Sequence, residues 1–142
     1  MVEPAIDRAE KAAGDAGVSV DWRAVDLAVD PPEPGAYDLV SLQYPALRHD
    51  AGDRLIRSIV DAVAPGGTLL VVGHSFDSVD GHHHPHFDPA DYVQPPDVAD
   101  LLGDGDGDGW TIEVHEVRPR EMPEGRQGPN VPDVVLRARR DG

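Results

Sequence analysis

Four sets of residues in this 142-residue chain have the types and spacing to do chemistry. Asp26, with Leu27 beside it, follows an alternating apolar run. Gln43 and Tyr44 follow the run Tyr37-Asp38-Leu39-Val40-Ser41-Leu42, and His74 follows Thr68-Leu69-Leu70-Val71-Val72-Gly73. A carboxylate accepts a hydrogen bond from an amine, an amide and a phenol orient polar groups, and an imidazole exchanges a proton near neutral pH. The fourth set is His82, His83, His84 and His86, with Asp77, Asp80 and Asp88 beside them. Imidazole and carboxylate are ligands for divalent transition metals. Their spacing is that of a loop, and short His-rich tracts also take up metal as an affinity tag does. Three readings of this segment stay open: a lid loop with no fixed ligand, a dedicated metal site, or a source of substrate contacts and proton transfer. For the last, His74 is best placed, because it directly follows a strand end. Asp26 also has a plain alternative as the cap of a turn before a Pro-rich loop, and Tyr44-Pro45 as a packed corner.

The elements that must position these groups can be read from periodicity. Residues 4–16 predict a helix: Pro4 suits its first turn, Ile6, Ala9, Ala13 and Ala16 recur at helical spacing, and Gly14 and Gly17 mark its end. Residues 18–25 predict a strand, with Val18, Val20 and Trp22 alternating with Ser19, Asp21 and Arg23. A Pro-rich loop follows, then a strand over 37–43. Residues 50–63 carry the clearest helical stripe, Leu55, Ile56, Ile59, Val60 and Val63, and Pro65-Gly66-Gly67 should stop it. The almost wholly apolar run 68–73 predicts a parallel strand covered on both faces. Residues 74–94 read as a long loop, 96–102 as a short helix, and 103–109 as a flexible turn. Strands over 110–117 and 131–138 close the chain, joined without a helix and so expected to pair antiparallel. The alternation of strand and helix predicts an α/β fold with a mostly parallel sheet. All 142 residues are expected to form one domain, with 74–94 as a variable loop.

Composition bounds the function. The chain holds 27 acidic and 12 basic residues, a formal net charge of −15, which repels a phosphate backbone and excludes the usual nucleic-acid-binding module. Without cysteine there is neither a disulfide framework nor a Cys-based zinc site. No apolar run approaches the roughly 18 residues that span a membrane. No basic, apolar leader opens the chain, so a cytoplasmic location is expected. Twenty of the acids are Asp and eleven of the twelve cations are Arg. A GC-rich codon usage gives that bias, as does adaptation to a salty interior, where dense carboxylates keep a surface hydrated.

In open α/β sheets ligands bind beyond the carboxyl ends of the strands, where Asp26, Gln43, Tyr44 and His74 all fall. The stretches PAIDRAEKAA, VSVDWRAVDL, YDLVSLQYPAL, RLIRSIVDAVAPGGTLLVVGH and VPDVVLRARR, in that order, resemble the C-terminal two-thirds of a class I S-adenosylmethionine-dependent methyltransferase domain. The resemblance implies a Rossmann-like sheet with a C-terminal antiparallel strand pair. It implies S-adenosylmethionine as cofactor, with Asp26 and Leu27 at its adenine and Gln43 and Tyr44 at its methionine part and reacting methyl. Tyr44 and His74 are then the catalytic candidates. The family's glycine-rich cofactor loop has no counterpart in residues 1–17. Counting back from Pro4 puts the ribose-binding acid's position at Met1, with Glu3 the nearest acid. The chain is therefore expected to be N-terminally truncated relative to the family, with a gap in the sheet between strands 18–25 and 37–43. That gap would be closed by direct pairing, by another chain, or by an upstream segment. The function implied is methyl transfer to a small-molecule acceptor, with a homo-oligomer as a possible assembly and no nucleic-acid or membrane partner. Two alternatives stand beside it: a non-catalytic remnant serving as an oligomeric or partner-binding module, and a metal-binding protein using His82–His86.

Overall fold

The computed structural model describes residues 3–75, 88–103, 109–121, 123–125 and 131–142. It divides into two compact units, Met1–Pro31 and Pro32–Gly142. The first unit holds helix α1, Glu3–Ala16. Ile6, Ala9 and Ala13 are its half-buried positions, the stripe expected from their spacing, while Ala16 is exposed. The helix ends as the two glycines require. Gly17, at φ +69°, donates to the Gly14 carbonyl at 3.1 Å, and Val18 donates to the Ala13 carbonyl at 3.0 Å. This paired closure satisfies two terminal carbonyls and needs a left-handed residue, which glycine adopts without steric cost. Residues 18–25 form no strand, contrary to expectation. Val18, Val20, Trp22 and Val25 remain 40–56% exposed. A strand exists only through a ladder to a neighbour, and no described strand pairs with this segment.

The second unit is built on a four-stranded sheet ordered β1-β2-β4-β3, from Tyr37–Gln43, Val63–His74, Asp133–Arg140 and Trp110–Arg118 respectively. β1 and β2 pair parallel, and β4 runs antiparallel to both β2 and β3. Three strands therefore point one way and β4 returns between two of them, so the expected antiparallel terminal pair is present. Residues 65–67 were expected to separate helix from strand; instead they form an irregularity inside β2. Tyr37 pairs with Val63 but Leu39 with Thr68, so the ladder skips across Pro65-Gly66-Gly67. Gly67 permits this crowding: a Cβ there would lie 2.8 Å from the Ala64 carbonyl oxygen and 3.0 Å from that of Asp38.

Two helices, α2 (His49–Asp61) and α3 (Pro95–Leu102), contribute to one core with the sheet. Ile56 and Val60 from α2, Val98, Ala99 and Leu102 from α3, Leu69 and Val71 from β2, and Leu136 and Ala138 from β4 are buried together with Trp110. The alternate residues Leu70 and Val72 are only half-buried, so the second face of β2 is less covered than its apolar run predicts. Arg140 ties the far end of β4 to the α2–β2 junction, donating to the Val63 carbonyl at 2.5 Å and to that of Asp61 at 3.4 Å. Among the described residues, no helix is long and apolar enough to cross a membrane.

Candidate functional site at the carboxyl edge of the sheet

The strand directions bring the ends of β1, β2 and β3 and the start of β4 to one edge. Tyr44 follows β1, His74 ends β2, Asp133 opens β4, and Arg120 lies just beyond β3. The register places His74 directly opposite Asp133. Tyr44 is a non-glycine residue at positive φ, 49°. That conformation costs an aromatic residue of order 1 kcal/mol and persists where its surroundings fix it. Here Tyr44 N–H donates to the Val72 carbonyl at 2.8 Å, locking the turn against β2.

The side chains converge. The rings of Tyr44 and His74 lie 4.6 Å apart between centroids, tilted by 32°. The Arg120 guanidinium sits 5.4 Å from the centre of the Tyr44 ring, a cation–π contact. His74 Nδ1 is 3.8 Å from Asp133 Oδ1, and both atoms are shut off from solvent. Partial burial raises the Tyr44 phenol above its ordinary value; its hydrogen bond to Asp133 and the negative charge there add to this, and Arg120 opposes it.

The sign for stability follows from that direction. The folded chain holds the Tyr44 proton above the ordinary phenol value of 10.0, where the unfolded chain releases it. The contribution is complete below about pH 10 and is lost as pH rises through the folded-state value. Urea midpoints measured from about pH 9 to pH 11 should therefore fall more steeply for the native chain than for Tyr44→Phe.

Behind the cluster is a cavity of about 190 Å³, lined by Tyr44, Pro45, Ala46, Gly73, His74, Tyr92, Val93, Gln94 and Pro95. Its walls are pinned together. Val93 N–H donates to the Leu47 carbonyl at 2.7 Å, and Arg48 and Tyr92 form a backbone bridge. The mouth of α3 is fixed by Gln94 N–H donating to Asp97 Oδ2 at 2.6 Å. A neighbouring cavity of about 340 Å³ shares His74, Tyr92 and Gln94 and adds His49, Ser75 and Asp97.

The sequence-predicted residues divide. Tyr44 and His74 come together at the cavity. Gln43 does not line it: its side chain is exposed and its amide nitrogen donates to Ser41 Oγ at 2.8 Å. Gln43 is the last residue of β1, and the left-handed turn at Tyr44 follows it. Asp26 and Leu27 belong to the first unit. Asp26 makes the turn that its plain reading foresaw, its Oδ1 accepting from Ala28 N–H at 2.9 Å and its carbonyl from Val29 and Asp30. One carboxylate oxygen is thus engaged locally, and a carboxylate has a second. His82, His83, His84 and His86, with Asp77 and Asp80, lie outside the described residues; Asp88 caps a short 3₁₀ turn through Ala90 N–H. Among the described residues, no three His, Asp or Glu side chains are grouped to hold a metal. Asp133 and Arg120 were not foreseen from the sequence. Their signal was the register of the last strand, which sets the residue before Val134 against the end of β2.

An α/β sheet with its polar groups gathered at the carboxyl edge is a Rossmann-like ligand-binding architecture. The particular version is the class I S-adenosylmethionine-dependent methyltransferase fold. The chain superposes on the [4+2]-cyclase SpnF with a TM-score of 0.62 at 20% identity, over 94% of this chain and 61% of that one. A S-adenosylmethionine-dependent methyltransferase from Methanosarcina mazei matches with a TM-score of 0.60 at 14% identity, over 87% and 68%. The 1,6-didemethyltoxoflavin-N1-methyltransferase of Burkholderia thailandensis, a structure with bound 1,6-didemethyltoxoflavin and S-adenosylhomocysteine, gives 0.56 at 16% identity, over 94% and 56%. The chain spans about three-fifths of the length of the first structures it matches. No protein-family model and no curated protein matches it.

Proposed function

We propose that the chain is the greater part of a S-adenosylmethionine-dependent methyltransferase acting on a small-molecule acceptor. The observation that carries this reading is the cluster of Tyr44, His74, Asp133 and Arg120 beside a mostly apolar cavity, at the strand edge where this fold binds ligands. The donor set fits the cofactor's chemistry. Within the second unit, the aromatic face of Tyr44 suits the methionine end. Gln43, whose amide nitrogen is engaged by Ser41, retains its amide oxygen for the methionine part. When bound, S-adenosylmethionine supplies a methyl carbon already activated by its sulfonium, with the methyl–sulfur electron pair leaving on sulfur. What remains for the protein is positioning, exclusion of water and handling of the acceptor's proton. The aromatic face of Tyr44 forms a wall beside the cavity. His74 lines the cavity and brings an imidazole to it.

Calorimetric titration of the chain with S-adenosylmethionine tests the reading. Saturable one-to-one binding is expected. Tyr44→Ala, which removes the aromatic face beside the cavity, should weaken it about tenfold. A folded chain that takes up no S-adenosylmethionine overturns the proposal.

A further inference from the structure

We infer that the cavity takes the acceptor itself, as a single aromatic or heteroaromatic ring carrying an ionisable O–H, N–H or S–H group, and that His74, which faces Asp133, receives its proton. This rests on the methyltransferase reading and specifies its substrate class.

Size comes first. An apolar cavity of about 150 Å³ is large enough to hold benzene. The cavity here is about 190 Å³, room for one ring and a small substituent but not for a fused bicycle with side chains. Its lining matches a flat apolar body: the rings of Tyr44 and Tyr92, the pyrrolidines of Pro45 and Pro95, and Val93. Aromatic pairs in offset or tilted contact add to the area buried. Polar side-chain groups at the wall come chiefly from His74 and Gln94, so an acceptor with one polar substituent is matched and a polyhydroxylated one is not.

The proton path follows from geometry. His74 Nδ1 is turned toward Asp133 Oδ1, at 3.8 Å, in a place closed to water. A carboxylate there favours the tautomer with its proton on Nδ1 and leaves the Nε2 electron pair as the base. When the acceptor's X–H bond breaks, its electron pair stays on X as the nucleophile and its proton goes to Nε2. The imidazolium so formed is stabilised by Asp133 and afterwards returns the proton to solvent. Among the described residues, the charged and titratable groups around His74 are Tyr44 beyond β1, Asp133 on β4, Arg120 beyond β3, Tyr92 before α3, and His49 and Asp97 across the neighbouring cavity. Asp133 acts on the proton through His74 and is a positioning residue.

The test needs no cofactor. Para-nitrophenol changes absorbance when it ionises, and nitrobenzene is a ring of similar size with no proton to lose. Both should bind the chain, seen as saturable shifts of the ring resonances of Tyr44 and Tyr92. Bound para-nitrophenol should ionise with its apparent pKa lowered by about one unit, a tenfold change. His74→Gln should still bind both rings while losing that shift, and Asp133→Asn should reduce it. Ala46→Phe, at an exposed residue of the lining, should fill the cavity and abolish binding of both rings without unfolding the chain. If neither ring binds the folded chain, the acceptor class is wrong. If the shift survives in His74→Gln, Arg120 or the general field is responsible and His74 is not the base. S-adenosylmethionine binding is read separately: uptake of cofactor without ring binding sinks this inference alone, and ring binding without cofactor uptake sinks the methyltransferase reading.

Discussion

Leu136→Ala is expected to lower the free energy of unfolding by about 2–5 kcal/mol. Leu136 is fully buried in β4, one of the two strands with neighbours on both sides. It pairs with Val71 across one ladder and His115 across the other, and its side chain belongs to the cluster joining α2, α3 and the sheet. Truncation removes the transfer free energy of several carbons and leaves a void that ladders on both sides prevent from collapsing. Domains of this kind have total stabilities of about 5–15 kcal/mol, so the loss is a large share of the whole. Urea unfolding followed by circular dichroism should show a lower midpoint with an unchanged slope. Leu136→Met, which nearly conserves volume, should cost less than about 1.5 kcal/mol. A loss below about 1 kcal/mol in the alanine variant would mean that the β4 core is not packed as described.

Gly73→Ala should both destabilise the chain and close the cavity. Gly73 is buried near the end of β2, opposite Val134. A Cβ there would lie 2.9 Å from Pro95 Cδ and 3.1 Å from its Cγ. Pro95 cannot swing aside: its ring is closed on the backbone of the first turn of α3 and is itself fully buried. The helix must therefore shift as a body, a form of overpacking that costs about 1–3 kcal/mol. Because Gly73 and Pro95 both line the cavity, the shift alters the space proposed for the acceptor ring. The expected result is a lowered thermal midpoint together with lost para-nitrophenol binding, while Gly66→Ala, away from the cavity, leaves ring binding intact. A Gly73→Ala chain as stable as the native one, with ring binding unchanged, would contradict the close approach of Pro95.

The sheet and its helices were largely legible because their signals are local. The stripe of Ile56, Ile59 and Val60 and the alternation of Val134, Leu136 and Ala138 each mark a face that the structure buries. Errors arose where the deciding contact is distant. Val18, Val20 and Trp22 alternate as a strand should, but alternation supplies no partner for the backbone. Pro65-Gly66-Gly67 has the chemistry of a break, yet β1 pairs on both sides of it and the ladder resumes. Of the site, Tyr44 and His74 were legible as residues after strand ends. The bond of the Gln43 amide to Ser41 was not legible from the sequence, and the left-handed turn at Tyr44 cannot be read from residue types that normally avoid it. Asp133 and Arg120 reach Tyr44 across intervals of many residues, through the register of β4 and the path leaving β3. No local pattern encodes either contact.

The placement of β4 has a consequence for biosynthesis. It is the last of the four strands to be translated, yet it lies between β2 and β3. While the nascent chain emerges from the ribosome, β2 and β3 have no direct ladder to form with each other; β2 waits with one open edge and β3 with both. The buried faces of Leu69, Val71 and Trp110 are then without the Leu136 and Ala138 that complete their cluster. The His74–Asp133 pairing and the Arg140 tie to the α2–β2 junction come into being in the same late event. Completion of the core and assembly of the candidate site are thus one step in time, and a growing chain has neither until residues 133–140 are free to insert.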